Sequence, residues 1–363
     1  MKLINTELKN NVLGSMMRIL DERREDILTA NKKDLDAFNK DDQALYDRLV
    51  VNDKKIDGMI QAIAEVKSQD DPVSNEISNT TLDNGLNIVN KTAPFGTIMI
   101  IYESRPDVTI EAAVLAFKAN NKILLKGGKE AHESNVVLVE CWHQALQENK
   151  LPKDWIKMLV MNRTETQEFL KNPTEPLDLI VPRGGERLIA FVKEHAKCAV
   201  LVSGRGNNFL YVDKDADWKK TLEVIINAKT DKISGCNALD KVLVDKNIED
   251  YESKLKDLDK TLSSLGVEII VDKNVNTILS ERDLISKDEV WFEEFLAMKI
   301  AIGEADGIED AISKINTYSG GHSSAILTED KAVAAHFMEN IDTAAVYHNA
   351  STRFTDGGQM GVG

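Results

Sequence analysis

Apolar side chains recur at helical spacing in the first seventy residues of the chain. Spacings of three and four residues put such side chains on one face of an amphipathic helix. Pro72, within the polar stretch SQDDPVSN, marks the end of this region. The sequence therefore predicts a helical N-terminal segment. The apolar sets that indicate it are Leu13, Met16, Met17 and Leu20, followed by Ile56, Met59, Ile60 and Ile63.

After residue 90, short apolar runs alternate with amphipathic stretches. Short continuous apolar strands that alternate with helices are typical of a parallel sheet covered on both faces. The predicted strands are TIMIIY (97–102), KILLK (122–126), IKMLV (156–160), LDLIV (177–181) and CAVLV (198–202). The predicted helices cover 108–120, 134–149 with Ser134 as N-cap, 165–171, 186–195 and 216–230.

A second alternating set follows and predicts a second α/β unit. Its predicted strands are 241–245, 267–271, 295–302, 323–328 and 344–349, with helices at 248–264, 306–317 and 329–340. We place the boundary between the two units near residues 230–235. The sequence thus predicts an α/β protein with two parallel-sheet domains, 1–230 and 231–345, and a C-terminal segment at 346–363.

Charge and cysteine usage narrow the class of protein. The 363-residue chain carries 45 basic and 60 acidic residues, a formal net charge of -15 at pH 7. This balance argues against a nucleic-acid-binding or anionic-membrane surface, and an anionic substrate would need a local basic site. Three cysteines without a pairing pattern indicate a reducing compartment. We find neither a signal-peptide core nor the about 18 consecutive apolar residues of a membrane span, so we expect a cytoplasmic protein.

Cys236 lies in a polar, glycine-containing turn, SGCN, between a predicted helix and a predicted strand. Such a turn can expose the sulfur and point backbone N–H groups at a developing oxyanion. We therefore consider Cys236 a candidate nucleophile, and the alternative is a small buried structural cysteine. Cys141 and Cys198 fall in apolar elements, where we expect core positions.

Glycine pairs with basic flanks follow two of the predicted strands. One is Lys126-Gly127-Gly128-Lys129 and the other is Arg183-Gly184-Gly185, each ahead of a helix. A third polar loop, SGRGNN (203–208), follows the next strand. Loops after parallel strands gather at the carboxyl edge of the sheet, where helix N-termini can bind an anion. The alternative is that the glycines only permit tight turns; a GxGxxG fingerprint is absent from the sequence.

Two further polar stretches stand out. In IYESRPDVTIEAA (101–113), Pro106 disfavours helix at Arg105 and so presents this arginine at the carboxyl edge of the sheet. An arginine at this edge can bind a carboxylate or a phosphate through two parallel hydrogen bonds. The alternative is that Arg105 forms only a surface salt bridge. YHNASTRFTDGG (347–358) contains Arg353 and is too polar for core. Histidine and cysteine spacings do not predict a metal site, and no GxSxG elbow supports serine hydrolase chemistry.

Six stretches together resemble the γ-glutamyl phosphate reductase family of the aldehyde dehydrogenase superfamily. They occur in that family's order over residues 90–358, and IYESRPDVT and NASTRFTDGG are specific to it. The six are PFGTIMIIYESRPDVTIEAA, LLKGGKEAHESN, DLIVPRGGERLI, NAKTDKISGCNALDKVLVD, YSGGHSSAILTED and AAVYHNASTRFTDGG. The resemblance implies two Rossmann-like domains and NADPH-dependent reduction of L-glutamyl 5-phosphate to L-glutamate 5-semialdehyde, the second step of proline synthesis from glutamate.

The resemblance also implies roles for residues already singled out. Cys236 would be the catalytic cysteine, with Asn237 at the oxyanion, and domain 231–345 would carry the catalysis. Substrate contacts would be Ser104, Arg105, Asn349 and Arg353. NADPH would bind domain 1–230, through Lys126, Gly127, Gly128, Lys129, Arg183, Gly184, Gly185, Ser203 and Gly204. A homo-oligomer, a dimer, is expected where the C-terminal tail is present. Contact with the kinase that makes the acyl phosphate is a separate hypothesis that no residue of the sequence shows.

Three features depart from the family pattern. Val202 stands where the superfamily often has a glutamate base, which a reductase that releases phosphate has less need of. Asp107 replaces the usual asparagine and brings a negative charge beside Arg105. The chain also ends at GQMGVG, short of a tail that usually joins subunits. The open alternatives are a coenzyme A-dependent acylating aldehyde dehydrogenase and a non-catalytic homologue.

Overall fold

The computed structural model describes residues 3–39, 43–202, 204–233, 235–356 and 360. Contacts divide the chain into two compact units, Met1–Val202 and Ser203–Gly363. This division precedes the predicted boundary at 230–235. Among the described residues, none of the helices is both long and apolar enough to span a membrane.

The first unit begins with the helices that the apolar spacing predicts, and then alternates strands with helices. Asn5 caps the first helix by accepting a hydrogen bond from the Leu8 N–H at 2.8 Å. Its helices are α1 Thr6–Glu22, α2 Arg24–Ala37, α3 Gln43–Leu49, α4 Asp53–Ser68, α5 Pro106–Lys118, α6 His132–Glu148, α7 Arg163–Lys171 and α8 Glu186–His195. Its strands are β1 Glu76–Thr81, β2 Asn87–Lys91, β3 Thr97–Tyr102, β4 Lys122–Lys126, β5 Ile156–Met158, β6 Leu179–Arg183 and β7 Ala199–Val200.

The first sheet is parallel, with the order β5-β4-β3-β6-β7. Strand β3 is central, and its side chains alternate between two cores. Ile100 and Tyr102 face the core formed with the N-terminal helices, α5 and α6, whereas Met99 and Ile101 face the core formed with α7 and α8. Burial of both faces explains the continuous apolar run, and it confirms the predicted covered sheet.

Two local predictions for this unit were wrong or incomplete. Ser134 is not an N-cap: helix α6 begins at His132, and the Ser134 hydroxyl donates to the buried Asp34 carboxylate at 2.6 Å. The antiparallel hairpin β1–β2 was not predicted, because its strands are polar and exposed on both faces. The sequence feature that indicates this hairpin is the Asn-Gly pair at its turn, where Gly85 has a φ of 84°.

The second unit repeats the alternation of helices and strands. Its helices are α9 Trp218–Thr230, α10 Tyr251–Ser264, α11 Lys273–Asn276, α12 Glu289–Phe292, α13 Ile308–Tyr318 and α14 Lys331–Asn340. Its strands are β8 Asn208–Val212, β9 Leu239–Asp245, β10 Glu268–Val271, β11 Asp283–Leu284, β12 Lys299–Ala305, β13 Ser323–Leu327 and β14 Ala345–His348.

The second sheet is also parallel, with the order β11-β10-β12-β9-β8-β13-β14. Strand β8, which the sequence analysis did not predict, pairs with β9 and β13. Helix α9 packs its Ile225 and Ala228 into the core of this sheet. These contacts bind residues 208–230 to the second unit, which is why the division falls at 202/203. Strand β14 extends the same sheet, so residues 345–348 also belong to it.

Acidic side chains mark the carboxyl ends of four neighbouring strands of the second sheet. The Tyr211 hydroxyl donates to Asp245 at 2.6 Å, and Tyr251 donates to Glu304 at 3.0 Å. The four carboxylates, one at each strand end, are Asp213, Asp245, Asp272 and Glu304. The described residues include no group of three or more acidic, histidine or cysteine side chains that could hold a metal ion.

Candidate active site

Three loops meet at the carboxyl edge of the first sheet, because β4, β3 and β6 are neighbours and run parallel. They are residues 103–105 after β3, Gly127-Gly128 after β4 and Gly184-Gly185 after β6. This arrangement fulfils the topological rule for ligand sites in parallel sheets. The carboxyl edge of the first sheet is thus the candidate ligand-binding region of the first unit.

Three cationic side chains lie near this edge and differ in how far they are buried. Lys129 and Arg183 are exposed. The Lys126 ammonium is half-buried, donates to the Gly127 carbonyl at 2.7 Å, and has its pKa lowered by burial. Two exposed cations are thus available to an anionic ligand, whereas Lys126 also shapes the loop.

Helix α8 begins at this edge without a side-chain cap. Gly185 is its N-cap residue, and a Cβ added there would meet no atom within 4 Å. The first N–H groups of a helix bind anions, and the macrodipole adds to that preference. The space beside Gly185 and the uncapped start of α8 therefore make this helix end a candidate anion site.

The loop after β3 holds the two predicted substrate residues of the first unit. Ser104 is buried, and its hydroxyl donates to the Glu130 carboxylate at 3.0 Å. The Arg105 side chain is 42% exposed and pairs with Asp107 at 2.9 Å. Arg105 therefore lies partly exposed at the carboxyl edge, as expected from the proline that follows it, and its guanidinium forms an ion pair with Asp107.

A buried polar chain underlies the Gly127-Gly128 loop. The Tyr102 hydroxyl lies 2.7 Å from the Thr109 hydroxyl, which donates to the Asn135 carbonyl oxygen at 2.8 Å. Gly127 packs against Tyr102 so closely that an added Cβ would lie 3.2 Å from the phenol oxygen. The Gly127 position therefore needs glycine for packing as well as for any ligand, a second role that the sequence alone could not reveal.

The second unit carries a candidate region of its own, the turn that contains Cys236. Cys236 is a free, exposed thiol just before β9, whereas Cys141 is buried and burial raises its thiol pKa to about 11. Cys198 is only partly buried, not the core residue expected. Exposure distinguishes Cys236 from both other cysteines, as a nucleophile requires.

Asn237 and Arg353 contact each other beside this cysteine. The Asn237 amide donates to the carbonyls of Arg353 and Thr355, at 3.1 and 3.2 Å, and its oxygen accepts from the Arg353 guanidinium. Arg353 also pairs with Asp231 at 3.0 Å, and its side chain is 18% exposed. The structure thus gives both side chains internal partners that fasten the cysteine turn to residues 352–355.

Asn349 fastens the neighbouring loop instead of pointing at an open surface. Its amide donates to the Thr328 carbonyl at 2.9 Å, and its oxygen accepts from the Thr328 N–H at 3.1 Å. Its φ of 53° lies in the left-handed region, which asparagine tolerates.

The glycines of the SGRGNN loop serve close packing within the second unit. A Cβ on Gly204 would lie 2.6 Å from the backbone of Gly321, and one on Gly206 would lie 2.7 Å from the Cys236 Cα. Gly204 therefore packs within the second unit, against the backbone of Gly321. Ser203, the remaining predicted cofactor residue, lies outside the described residues.

Comparisons with known proteins agree with this architecture. Residues 2–284 match the aldehyde dehydrogenase family. A relative from Persephonella marina named γ-glutamyl phosphate reductase is 39% identical over 372 residues, 100% of this chain and 83% of that protein. The chain belongs to the γ-glutamyl phosphate reductase family. A Thermotoga maritima relative with the same name is 41% identical over 361 residues, 99% of this chain and 86% of that protein.

Solved structures support the family assignment. The crystal structure of γ-glutamyl phosphate reductase from Thermotoga maritima superimposes with a TM-score of 0.92 at 40% identity, covering 99% of this chain and 86% of that one. An acetylating aldehyde dehydrogenase from Geobacillus thermoglucosidasius shares the fold, with a TM-score of 0.68 at 17% identity and coverage of 98% and 84%. Membership implies an oxidoreductase that acts on a small molecule with a nicotinamide cofactor.

Proposed function

We propose that the protein reduces L-glutamyl 5-phosphate to L-glutamate 5-semialdehyde and releases phosphate, in the synthesis of proline. The observation that carries the proposal is Cys236, a free exposed thiol on a turn that Asn237 and Thr352 fasten to neighbouring segments. Relatives at about 40% identity carry the name of this enzyme. Covalent capture on sulfur splits one difficult reduction into two easier steps.

The Cys236 thiolate attacks the acyl carbon of the substrate. A C–S bond forms, the C–O bond to phosphate breaks, and inorganic phosphate leaves with its electron pair. A reduced nicotinamide cofactor, when bound, supplies the hydride that the thioester carbon accepts. The C–S bond of the resulting thiohemiacetal then breaks, releasing the aldehyde and returning the thiolate. The backbone N–H of Asn237 is the proposed donor to the oxyanion in both steps.

For the cofactor we propose NADPH at the carboxyl edge of the first sheet. The support is the open N-terminus of α8 at Gly185, together with exposed Lys129 and Arg183. Cations of this kind suit a 2′-phosphate. Equal rates with NADP and NAD would refute this choice, and Lys129→Gln should lower the preference for NADP without abolishing turnover.

For the substrate's carboxylate and phosphate we propose Arg105 and Arg353, with Ser104 and Asn349 as supporting residues. Arg105 carries the stronger case, because 42% of its side chain is exposed at the edge where helix α5 begins. Arg353, at 18% exposure, acts partly through Asn237. Arg105→Gln should therefore raise KM more than it lowers kcat.

The reaction run in reverse tests the proposal directly. Protein is mixed with glutamate semialdehyde, phosphate and NADP, and absorbance of the reduced cofactor is followed. Phosphate-dependent NADPH formation should vanish in Cys236→Ala and persist in the matched control Cys198→Ala. Acceptance of coenzyme A in place of phosphate would favour the acylating alternative. A folded chain without turnover would favour a non-catalytic homologue.

We also propose a homo-oligomer, supported by the apolar side chains that hairpin β1–β2 exposes. Ile77, Leu86 and Ile88 are 63%, 55% and 49% exposed. Solvent-exposed apolar clusters of this kind mark interaction surfaces. Sedimentation should show a multimer that the double variant Ile77→Lys with Ile88→Lys weakens. A wild-type chain that sediments as a monomer would refute the proposed oligomer.

Contact with the kinase that forms the acyl phosphate stays a prediction, and failure of the two proteins to co-purify would count against it. A cytoplasmic location also stays a prediction.

A further inference from the structure

Asn208 lies directly beneath the cysteine turn, at the first residue of β8. Its side chain is fully buried. Its amide nitrogen lies 2.8 Å from the carbonyl oxygen of Cys236 and 2.7 Å from that of Ala238. It also lies 2.9 Å from the Gly206 carbonyl. One amide group therefore fastens the backbone on both sides of Asn237, as well as the loop that leads into β8.

The orientation of this amide is fixed by its other end. The Asn208 carbonyl oxygen accepts from the Ser323 N–H at 3.1 Å and from the Ser323 hydroxyl at 2.8 Å. A flipped amide would place its oxygen against backbone carbonyls and its N–H group against donors. Because buried groups without partners are costly, only one orientation is stable.

Gly206 lets the two segments approach this closely. A Cβ at this position would lie 2.5 Å from the Cys236 carbonyl oxygen, and real Cβ contacts are essentially never that short. The cysteine turn is thus pressed onto residues 206–208, with the Asn208 amide filling the space between them. The Asn208 side chain is fully buried within this arrangement and exposes no atom to solvent.

We propose that Asn208 is a positioning residue that holds the Cys236 backbone, and with it the sulfur, in place for attack on the acyl carbon. The inference rests on the proposed function, and it adds to it a residue that acts only through the backbone of the nucleophile. Reacting atoms must be held in near-attack geometry, and misplacement by about 1 Å can cost on the order of 10²-fold in rate.

Asn208→Leu, with Asn31→Leu as matched control, tests the proposal. Leucine has nearly the same shape as asparagine but cannot form the hydrogen bonds. Asn31 is 1% exposed and is bonded in the same way within the first unit. Its amide donates to the Leu49 carbonyl at 2.9 Å and to the Ser134 hydroxyl at 3.1 Å, and its oxygen accepts from the Val51 N–H at 2.8 Å. Both variants lose a buried amide, but only one loses contact with the cysteine turn.

Two readouts separate positioning from general stability. Under conditions where each variant is folded, Asn208→Leu should lower kcat about 10²-fold with KM within about twofold, because only transition-state geometry is lost. Hydrogen exchange of the peptide that contains residues 235–239 should speed up as well. Asn31→Leu should change neither quantity.

An unchanged kcat in folded Asn208→Leu, or an equal loss in the Asn31 variant, would overturn the inference. If Asn208→Leu does not fold, Ser323→Ala takes its place: it removes one bond that orients the amide and should lower kcat several-fold, and no change would overturn the idea. If the wild-type chain shows no turnover, the proposed function fails. Hydrogen exchange still decides whether Asn208 fastens the turn, since it needs no substrate.

Discussion

Lys241 is a fully buried lysine in the second sheet. Its ammonium donates to the Glu293 carbonyl at 2.8 Å and lies 3.5 Å from the centroid of the Phe295 ring. Burial lowers the pKa of Lys241 from 10.5 to about 7, against the attraction of neighbouring Asp240. A lysine in this environment makes the stability of the second unit depend on pH.

The sign follows from proton binding. Because the folded pKa lies below the unfolded one, the unfolded chain binds the extra proton between pH 7 and pH 10.5. The penalty of burying the ammonium is therefore fully present below pH 7 and is relieved as the pH rises toward 10.5. A shift of this size corresponds to on the order of 5 kcal/mol in total. Between about pH 7.5 and about pH 9.5, folding should gain about 2–3 kcal/mol from this group.

Lys241→Met removes the titration and keeps the length of the side chain. Urea unfolding followed by fluorescence, fitted with separate transitions for the two units, gives the free energy of unfolding at each pH. The wild-type value minus the variant value should rise by about 2–3 kcal/mol across the window, while titratable groups distant from Lys241 cancel. Exposed Lys219→Met should give a flat difference. A flat difference for Lys241→Met as well would refute the reasoning.

Three further variants test the packing. Gly206→Ala forces a Cβ to 2.7 Å from the Cys236 Cα, so kcat in the reverse reaction should fall at least about 10²-fold. Gly58→Ala, in helix α4 with open space around it, should instead raise the free energy of urea unfolding by about 0.5–1 kcal/mol with activity unchanged. Lys229→Met leaves the Asp240 carboxylate, 3% exposed, without its partner at 3.0 Å, and should cost about 3–5 kcal/mol in the same unfolding assay. An intact, active Gly206 variant, a destabilised Gly58 variant or a neutral Lys229 variant would each contradict its prediction.

Much of the fold could be predicted because apolar runs report burial directly. TIMIIY and KILLK coincide with strands β3 and β4 to the residue. NFLYV (208–212) has the same character but was not predicted as a strand. The predicted boundary lies near residues 230–235, whereas contacts divide the chain at 202/203. The strand was identifiable from the four consecutive apolar and aromatic positions, 209–212, that follow the two asparagines. The position of the division between the two units was not identifiable from the sequence, because it depends on which strands pair.

The candidate site could be predicted only in part, for a physical reason. The nucleophile candidate Cys236 could be named, since a cysteine on a polar glycine turn is unusual. The residues that hold the cysteine turn in place could not be predicted, because they lie far away in sequence. Asn208 is 28 residues from Cys236 and 115 residues from Ser323. The sequence predicts that Arg353 binds a ligand, yet in the structure its guanidinium donates to Asp231, 122 residues away. Side chains of one polar type serve either role, and only the folded chain distinguishes them.

The acidic strand ends of the second sheet bear on how a chain of net charge -15 could accept an anion. The cysteine turn precedes β9, whereas Asp245 ends that strand, and seven residues of strand span about 20 Å. At an effective dielectric constant of about 20, a carboxylate at that distance repels an anion by about 0.8 kcal/mol, against about 4 kcal/mol at 4 Å. The position of Asp245 at the far end of this strand thus makes its repulsion of an approaching acyl phosphate about fivefold weaker than that of a carboxylate 4 Å away, with the total charge unchanged.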